Sequence, residues 1–530
     1  MVMPAAGSTA RHAGIAVSIA EWIDNSIRRT PDRIATGTAD GRMRVSYRQL
    51  HELVRALAGQ LAESGIARTG PIGLYCDNSP EFVITLLGAW SAGAAVVPID
   101  PQLIAAEVEA RLTAVNASAV VLPRRLRDFY PADPGAPSAF MVEIDAAGND
   151  VTLAGIRDGR GQAASAARSR SARSPEATDL ALLLFTTGST GTPKIVPLTH
   201  GNLGASVAGI VSTYHLGPDD ATLVIMPLFH GHGLVAGLLA TLASNGAAYL
   251  PSTGRFSAHL FWDEIASSRV TWYTAVPTVH QILLARAGTD YPADTPPALR
   301  FIRSSSAPLA QEVLTSTQEH FGAPMIPAYG MTETAHQAAS NPLPADGISK
   351  AASVGMATGL DIRISTTGGA AAAAGETGEV CVRGPALTSG YLNDPHATTE
   401  AFRGGWFRTG DLGHVDSAGY LFLSGRIKDM INRGGEKIAP LSVEAALLSD
   451  PAVQEALAFP APDAKYGEQV NAAVILQPGR RATQTELQQH CRSLLSAFEI
   501  PVKIYFLDQF PRTAKGDADR RALAATLASD

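Results

Sequence analysis

The densest run of residues able to do chemistry is Thr186-Thr187-Gly188-Ser189-Thr190-Gly191-Thr192-Pro193-Lys194. Its five hydroxyls are hydrogen-bond donors, and its glycines tolerate the positive φ that lets backbone N–H groups converge on one point. Lys194 adds a cation. Donors, a convergent backbone and one positive charge suit a polyphosphate. The run is not a Walker loop, because Pro193 rather than glycine precedes the lysine. An ordinary Ser/Thr/Gly surface loop has the same composition. The apolar run Leu182–Phe185 just before it, read as the end of a buried strand, and the closing lysine favour the phosphate reading. A second candidate, His230 and His232 two positions apart, lacks a third ligand at a spacing that suggests zinc.

The elements that must position these residues alternate. Ile72–Tyr75, Ala94–Ile99 and Ala119–Leu122 read as strands, and helices over 80–93 and 105–116 separate them, with Ser79 expected to cap the first. A second series of strands follows at Thr222–Met226, Ala247–Leu250, Trp272–Val276 and Arg300–Ser304. Such alternation implies parallel sheets covered by helices. Ahead of both series, Ser46 should cap a helix over 47–64. Residues 157–178 read as a flexible connection. From Gly378 the pattern changes to short alternating strands, and after Arg426 about 100 residues carry helices and strands of their own. The expected fold is α/β. A large N-terminal domain (1–425) holds two parallel-type αβ subdomains and a small β-barrel-like one, a hinge spans 426–430, and a small α+β domain fills 431–530.

The totals agree with an enzyme. The chain has 530 residues, 46% apolar and 17% charged, with a net charge of −7. That length suits about three to four domains or subdomains. The acidic balance and the lack of a long basic run argue against a nucleic-acid partner. No run nears the ~18 apolar residues of a membrane span, and no secretory leader is evident. Cys76, Cys381 and Cys491 lie far apart beside apolar residues and read as buried thiols. A cytoplasmic location is expected.

Several motifs in order now carry a resemblance. The loop 185–194, Ala328-Tyr329-Gly330-Met331-Thr332-Glu333-Thr334, Gly405-Trp406-Phe407-Arg408-Thr409-Gly410-Asp411, Gly425-Arg426-Ile427-Lys428-Asp429 and Gly434-Gly435-Glu436-Lys437-Ile438 resemble the acyl-adenylate-forming superfamily over about residues 18–525. The resemblance implies two half-reactions. A carboxylate attacks the α-phosphorus of ATP, giving acyl-AMP and pyrophosphate, and a thiol, usually of coenzyme A, then displaces AMP. The small domain is implied to be mobile, turning about the hinge between the steps. It further implies that the loop 186–194 clamps the β,γ-phosphates with Thr187 near the metal, that Tyr329 stacks on adenine beside Gly330, and that Thr332 contacts the α-phosphate. Glu333 is implied to hold Mg²⁺, Asp411 the ribose hydroxyls and Arg426 the ribose or phosphate, while Gly434 and Gly435 let pantetheine pass.

At the acid end, Met226-Pro227-Leu228-Phe229-His230-Gly231-His232-Gly233 is similar to the family's gate and acyl-pocket segment, with His230 at the gate. His232, Ser305 or Ser306, and His336 are implied to face the acid, and 303–309 to pass beneath the adenine. An apolar acyl chain wants an apolar pocket. These polar donors suit a small acid instead, and the segments look most like the oxalate–CoA ligase branch, in which histidines and a serine hold the second carboxylate.

One departure stands out. The family's run Pro-x-Thr-x-x-Gly-Lys reads here Pro511-Arg512-Thr513-Ala514-Lys515-Gly516-Asp517. An anion occupies the place of the lysine that bridges carboxylate and α-phosphate, which should slow adenylation unless compensated. Lys515 lies two residues earlier, up to about 7 Å along an extended chain. Three expectations follow: Lys515 substitutes in an ordinary ligase; the enzyme activates nitrite or another small acid for an amine acceptor, as the family's diazotases do; or the protein binds nucleotide without turnover.

Overall fold

A computed structural model describes residues 18–68, 70–130, 139–147, 150–158, 175–186, 193–350, 352–512 and 518–527. Its strands form three sheets. The first runs in the order Asp150–Asp158, Ala139–Ala147, Ala119–Pro123, Ile72–Tyr75, Val96–Ile99, Leu180–Thr186, Lys194–Thr199. Its centre is parallel, and Leu180–Thr186 joins it by a single parallel pairing of Leu182 with Val96. Leu182, Leu183 and Leu184 are buried, as the apolar run predicts. Lys194–Thr199 then turns back antiparallel, with Thr186 opposite Lys194. Both ends of the segment expected to hold phosphate are thereby fixed at one sheet edge. Arg157 and Asp158, expected within the connection, instead end a strand paired with Ala139–Ala147.

The second sheet has a parallel core of Ala247–Leu250, Ala221–Leu223, Trp272–Ala275, Phe301–Ser304 and Met325–Tyr329. Two features of it go beyond the expected layout. Ile34–Thr38, near the start of the chain, adds parallel to Ala247–Leu250. At the other edge Ala339–Ser340 and Ser353–Ala357 carry the hydrogen bonding on, antiparallel, into Leu421–Arg426, Trp406–Val415, Gly378–Arg383 and Asp361–Ser365. The β-rich part is therefore joined to the second αβ unit without a break. Beyond the turn Ile427–Asp429 a separate sheet begins. It holds Glu436–Ile438, Ile431–Arg433, Gly467–Leu476, Val453–Asp463 and Lys503–Phe506, over its own core around Val443, Val470 and Ile504.

Local chemistry starts the helices. Ser46 and Gln49 form a reciprocal capping box on Tyr47–Glu63, and Thr199 and Asn202 form another on His200–Tyr214. Ser79 sits at its N-cap position but makes no cap bond; Pro80 opens that helix, and the Ser79 hydroxyl lies 3.4 Å from Cys76 Sγ. All three cysteines are buried. No helix among the described residues is long and apolar enough to cross a membrane.

Candidate active site

In parallel α/β sheets, ligands gather beyond the carboxyl ends of the strands, and here the motif residues do so. Met226 follows Ala221–Leu223, Val276 follows Trp272–Ala275, Ser306 follows Phe301–Ser304, and Gly330 follows Met325–Tyr329. Asn78, from the first αβ unit, ties the first of these loops down. Its amide donates to the carbonyls of Val224 and Met226 and accepts from Leu228 N–H, at 2.8–2.9 Å. The chain then enters a π-helix, His232–Leu239, a distortion common at functional sites. A Cβ on Gly233 would lie 2.2 Å from the Met226 carbonyl oxygen, so only glycine fits this turn.

At the nucleotide end, Tyr329 donates its hydroxyl to Asp411 Oδ2 at 2.5 Å, and Arg426 Nε donates to Asp411 Oδ1 at 3.0 Å. Asp411 is buried and pairs in register with Arg426 across adjacent strands. Burial, reinforced by Asp411, pushes the Tyr329 phenol well up, so it stays a donor. Glu333 is buried too, in the short turn Thr332–Thr334, and accepts from the Tyr391 hydroxyl at 2.8 Å. Burial raises its carboxyl, while Tyr391, Arg426 and Lys194 pull the other way. Lys194 Nζ lies over the Tyr391 ring, 4.5 Å from its centre. Tyr391 thus links Lys194, at the end of the expected phosphate loop, to the expected metal residue. Nothing in the sequence pattern singled it out. Gly330 is forced: a Cβ there would lie 1.4 Å from the His336 carbonyl oxygen.

The acid end is a cluster of neutral groups around one cation. His232 and His336 stack with centroids 4.7 Å apart. His232 Nδ1 is 3.0 Å from Ser306 Oγ, and Nε2 is 2.6 Å from Thr274 Oγ1. Arg303 is 0% exposed. Its Nε donates to Tyr214 Oη at 3.0 Å, Nη1 to Thr274 Oγ1 at 3.0 Å, and Nη2 to Gln337 Oε1 at 3.1 Å. Among the described residues no carboxylate pairs with it. The strand register sets Thr274 directly beside Arg303. Burial pushes the imidazolium forms of His232 and His336 well down; Arg303 and the neighbouring histidines add to this. Ser306 (φ 76°) and His336 (φ 85°) both hold left-handed backbone, a strain that gathers at working sites.

The expected residues divide accordingly. Tyr329, Asp411 and Arg426 are joined by hydrogen bonds, Gly330 and Thr332 lie on the turn between Tyr329 and Glu333, and Glu333 is linked through Tyr391 to Lys194, which pairs with Thr186. His232, Ser306 and His336 meet at the acid end, with the half-buried His230 just ahead of His232. Ser305 does not join them: its hydroxyl is buried with no hydrogen-bond partner among the described residues. Arg303, expected beneath the adenine, turns its guanidinium into the histidine cluster. Gly434 (φ 61°) and Gly435 (φ 101°) form an exposed hairpin turn between Ile431–Arg433 and Glu436–Ile438. Thr187, Gly188, Ser189, Thr190, Gly191, Thr192, Lys515 and Asp517 lie outside the described residues.

Residues 23–392 match the AMP-binding enzyme family and residues 442–517 the AMP-binding enzyme C-terminal domain. The chain belongs to the AMP-binding enzyme family. It is an AMP-forming acid–thiol ligase of the acyl-adenylate-forming superfamily, and it resembles the oxalate–CoA ligase branch. It is 41% identical to an oxalate–CoA ligase of Arabidopsis thaliana over 95% of this chain and 97% of that one. It is 33% identical to a sulfoacetate–CoA ligase of Cupriavidus necator over 96% of each. ATP-bound MatB from Rhodopseudomonas palustris superposes with a TM-score of 0.82 at 27% identity, covering 96% of this chain and 99% of that one.

Proposed function

We propose that the chain activates a small acid bearing a second anionic group, oxalate first, as its acyl-adenylate and passes the acyl group to coenzyme A. The buried Arg303, hydrogen-bonded among the described residues to neutral groups, carries this reading. A desolvated cation without a counter-ion is costly, and an anionic substrate group in the pocket offsets that cost. Oxalate and sulfoacetate, acted on by the two relatives named above, each carry a second anion.

In this reading Tyr329 backs the adenine, Asp411 and Arg426 take the ribose, Thr332 meets the α-phosphate, and His230 gates the acid. Lys194 and the hydroxyls of the loop hold the outer phosphates. Glu333 suits Mg²⁺, which binds through one or two carboxylates plus substrate phosphates; when bound, the ion neutralises phosphate charge. Thr187 would stand beside it. Residues 426–430 serve as the hinge, and Gly434 and Gly435 border the pantetheine path. Lys515 takes the role of the missing lysine.

Asp517 favours a second reading, in which nitrite is activated for an amine or the nucleotide is merely held. Pyrophosphate release from ATP and Mg²⁺, measured with oxalate, malonate, sulfoacetate and nitrite, with and without coenzyme A, separates them. Release with a diacid, carried through to a thioester, and its loss in Lys515→Ala are expected. Release with nitrite alone, or nucleotide binding with no turnover, would replace the first reading by the second.

A further inference from the structure

Arginine has only donors, so every hydrogen bond it makes has a known direction. Arg303 therefore sets the polarity of the groups around it. Tyr214 Oη accepts from Arg303 Nε, leaving its own proton for Ser340 Oγ at 2.8 Å, and Ser340 donates onward to the Asn341 carbonyl at 2.9 Å. That branch ends inside the protein. The other branch leads to the pocket. Thr274 Oγ1 accepts from Arg303 Nη1, and His232 Nε2 at 2.6 Å is the one acceptor it meets among the described residues, so the arrangement that uses the threonine proton sends it to Nε2. Arg303 Nη1 itself lies 3.4 Å from the same nitrogen. In that arrangement two donors face Nε2, which then accepts. The imidazole is neutral, being buried beside a cation and a second histidine, so its one proton sits on Nδ1. Nδ1–H then donates to Ser306 Oγ at 3.0 Å. The Ser306 proton is left over, on an exposed residue whose strained backbone holds the hydroxyl at the pocket.

We propose that Arg303, acting through Thr274 and His232, is a positioning residue that fixes Ser306 as a hydrogen-bond donor to the acid, so that the pocket demands a group that only accepts. A carboxylate or sulfonate oxygen meets this demand. An amide N–H facing Ser306 does not, because two donors then meet in a partly desolvated site. The proposal rests on the diacid reading above and adds to it how the second anion is told from a neutral isostere. Arg303 need not touch the substrate, and its charge alone would not choose a tautomer.

The test uses the full chain. Oxalate and oxamate, which replaces one carboxylate by an amide, are titrated calorimetrically in the presence of a non-hydrolysable ATP analogue and Mg²⁺. The wild type is expected to bind oxalate at least about tenfold tighter. Arg303→Met frees His232 to move its proton to Nε2, and the ratio should fall to within about threefold. In a Ser306→Ala background, Arg303→Met should change the ratio less than about twofold, because the relay has lost its last member. A pure charge effect would persist there and overturn the proposal. Nitrogen-15 spectra of histidine-labelled protein give a readout that needs no stable variant. His232 protonated on Nδ1 is the expected result, and a wild-type spectrum with the proton on Nε2 overturns the proposal whatever the substitutions do. A wild type that binds propionate more tightly than oxalate would remove the diacid reading, and this proposal with it. Preference for oxalate together with an Nε2 proton would remove this proposal alone.

Discussion

The two ends of the site handle charge in opposite ways. Where the nucleotide is proposed to bind, Asp411 is already paired with Arg426 and bonded to Tyr329, and Glu333 accepts from Tyr391, whose ring lies under Lys194. At the acid end Arg303 is buried among neutral partners. A nucleotide brings its own hydroxyls, phosphates and metal, so the protein can preform the carboxylates that receive them. An acid as small as oxalate brings little surface. In the proposed reading its recognition rests on Arg303, which has no counter-ion among the described residues, an electrostatic debt that an anionic substrate settles on binding. Both ends hold their hydrogen bonds before a ligand arrives, but only around Asp411 is the buried charge paired with an opposite one.

The contrast can be broken most sharply at Glu333. Glu333→Gln should cut pyrophosphate release by about 10²–10³-fold, the scale of losing one aligned electrostatic group. The same change should raise the melting temperature at neutral pH. Burial raises this carboxyl in the folded state, so its favourable contribution to folding is complete only below its unfolded pKa, near 4.5, and is lost as pH climbs through the folded value. The melting gain should therefore vanish below about pH 4.5. A variant less stable at pH 7 would show that Glu333 is structural.

Asp411→Asn comes next. It weakens two charge-assisted bonds, each worth about 1.5–3 kcal/mol when made, and should raise KM for ATP about 10–100-fold while leaving the affinity for oxalate within about threefold. Equal losses for both ligands would mean that the two ends are not separable. A smaller effect is expected from Tyr391→Phe. Glu333 loses a donor and its carboxyl rises further, so the acid limb of kcat/KM should move to higher pH and the Mg²⁺ requirement should increase about tenfold; an unchanged profile would remove Tyr391 from the site. The smallest change belongs to the acid end. His232 and His336 are neutral when folded and protonate below about pH 6.5 when unfolded, so they cost stability as pH falls through that value. His336→Phe should flatten the acid side of the melting curve by a few degrees, without altering it above pH 7.

Legibility in the sequence follows the same division. The residues proposed for the nucleotide could be named from the sequence because they sit in short runs of shared pattern. Thr332 and Glu333 share a turn with the Tyr329 motif, and the hydroxyl loop lies between a buried strand and Lys194. Tyr391 escaped because its link to Glu333 spans 58 positions, and one tyrosine beside a glycine carries no spacing signal. The acid end was half legible. Its histidines could be counted, but Arg303 finds its meaning in contacts 29, 34 and 89 positions away, set by strand register and not by local pattern. Two serines side by side offered no means of choosing; the left-handed backbone at Ser306 did. Likewise, no local pattern indicates that Ile34–Thr38 would join a strand more than 200 residues later.

The contact of Gly330 with the His336 carbonyl bears on how such enzymes can diverge. If Tyr329 backs the adenine and His336 borders the acid, as proposed, both sites are built on the same turn of chain. Any insertion or bulkier residue there, acquired to admit a new acid, would displace the nucleotide as well. Descendants of this chain that change diet while keeping ATP must do so on the opposite bank, at positions 230, 274 and 306, where a substitution disturbs only one tenant. Combinatorial libraries for new acids belong on those three positions, with 330–336 held constant.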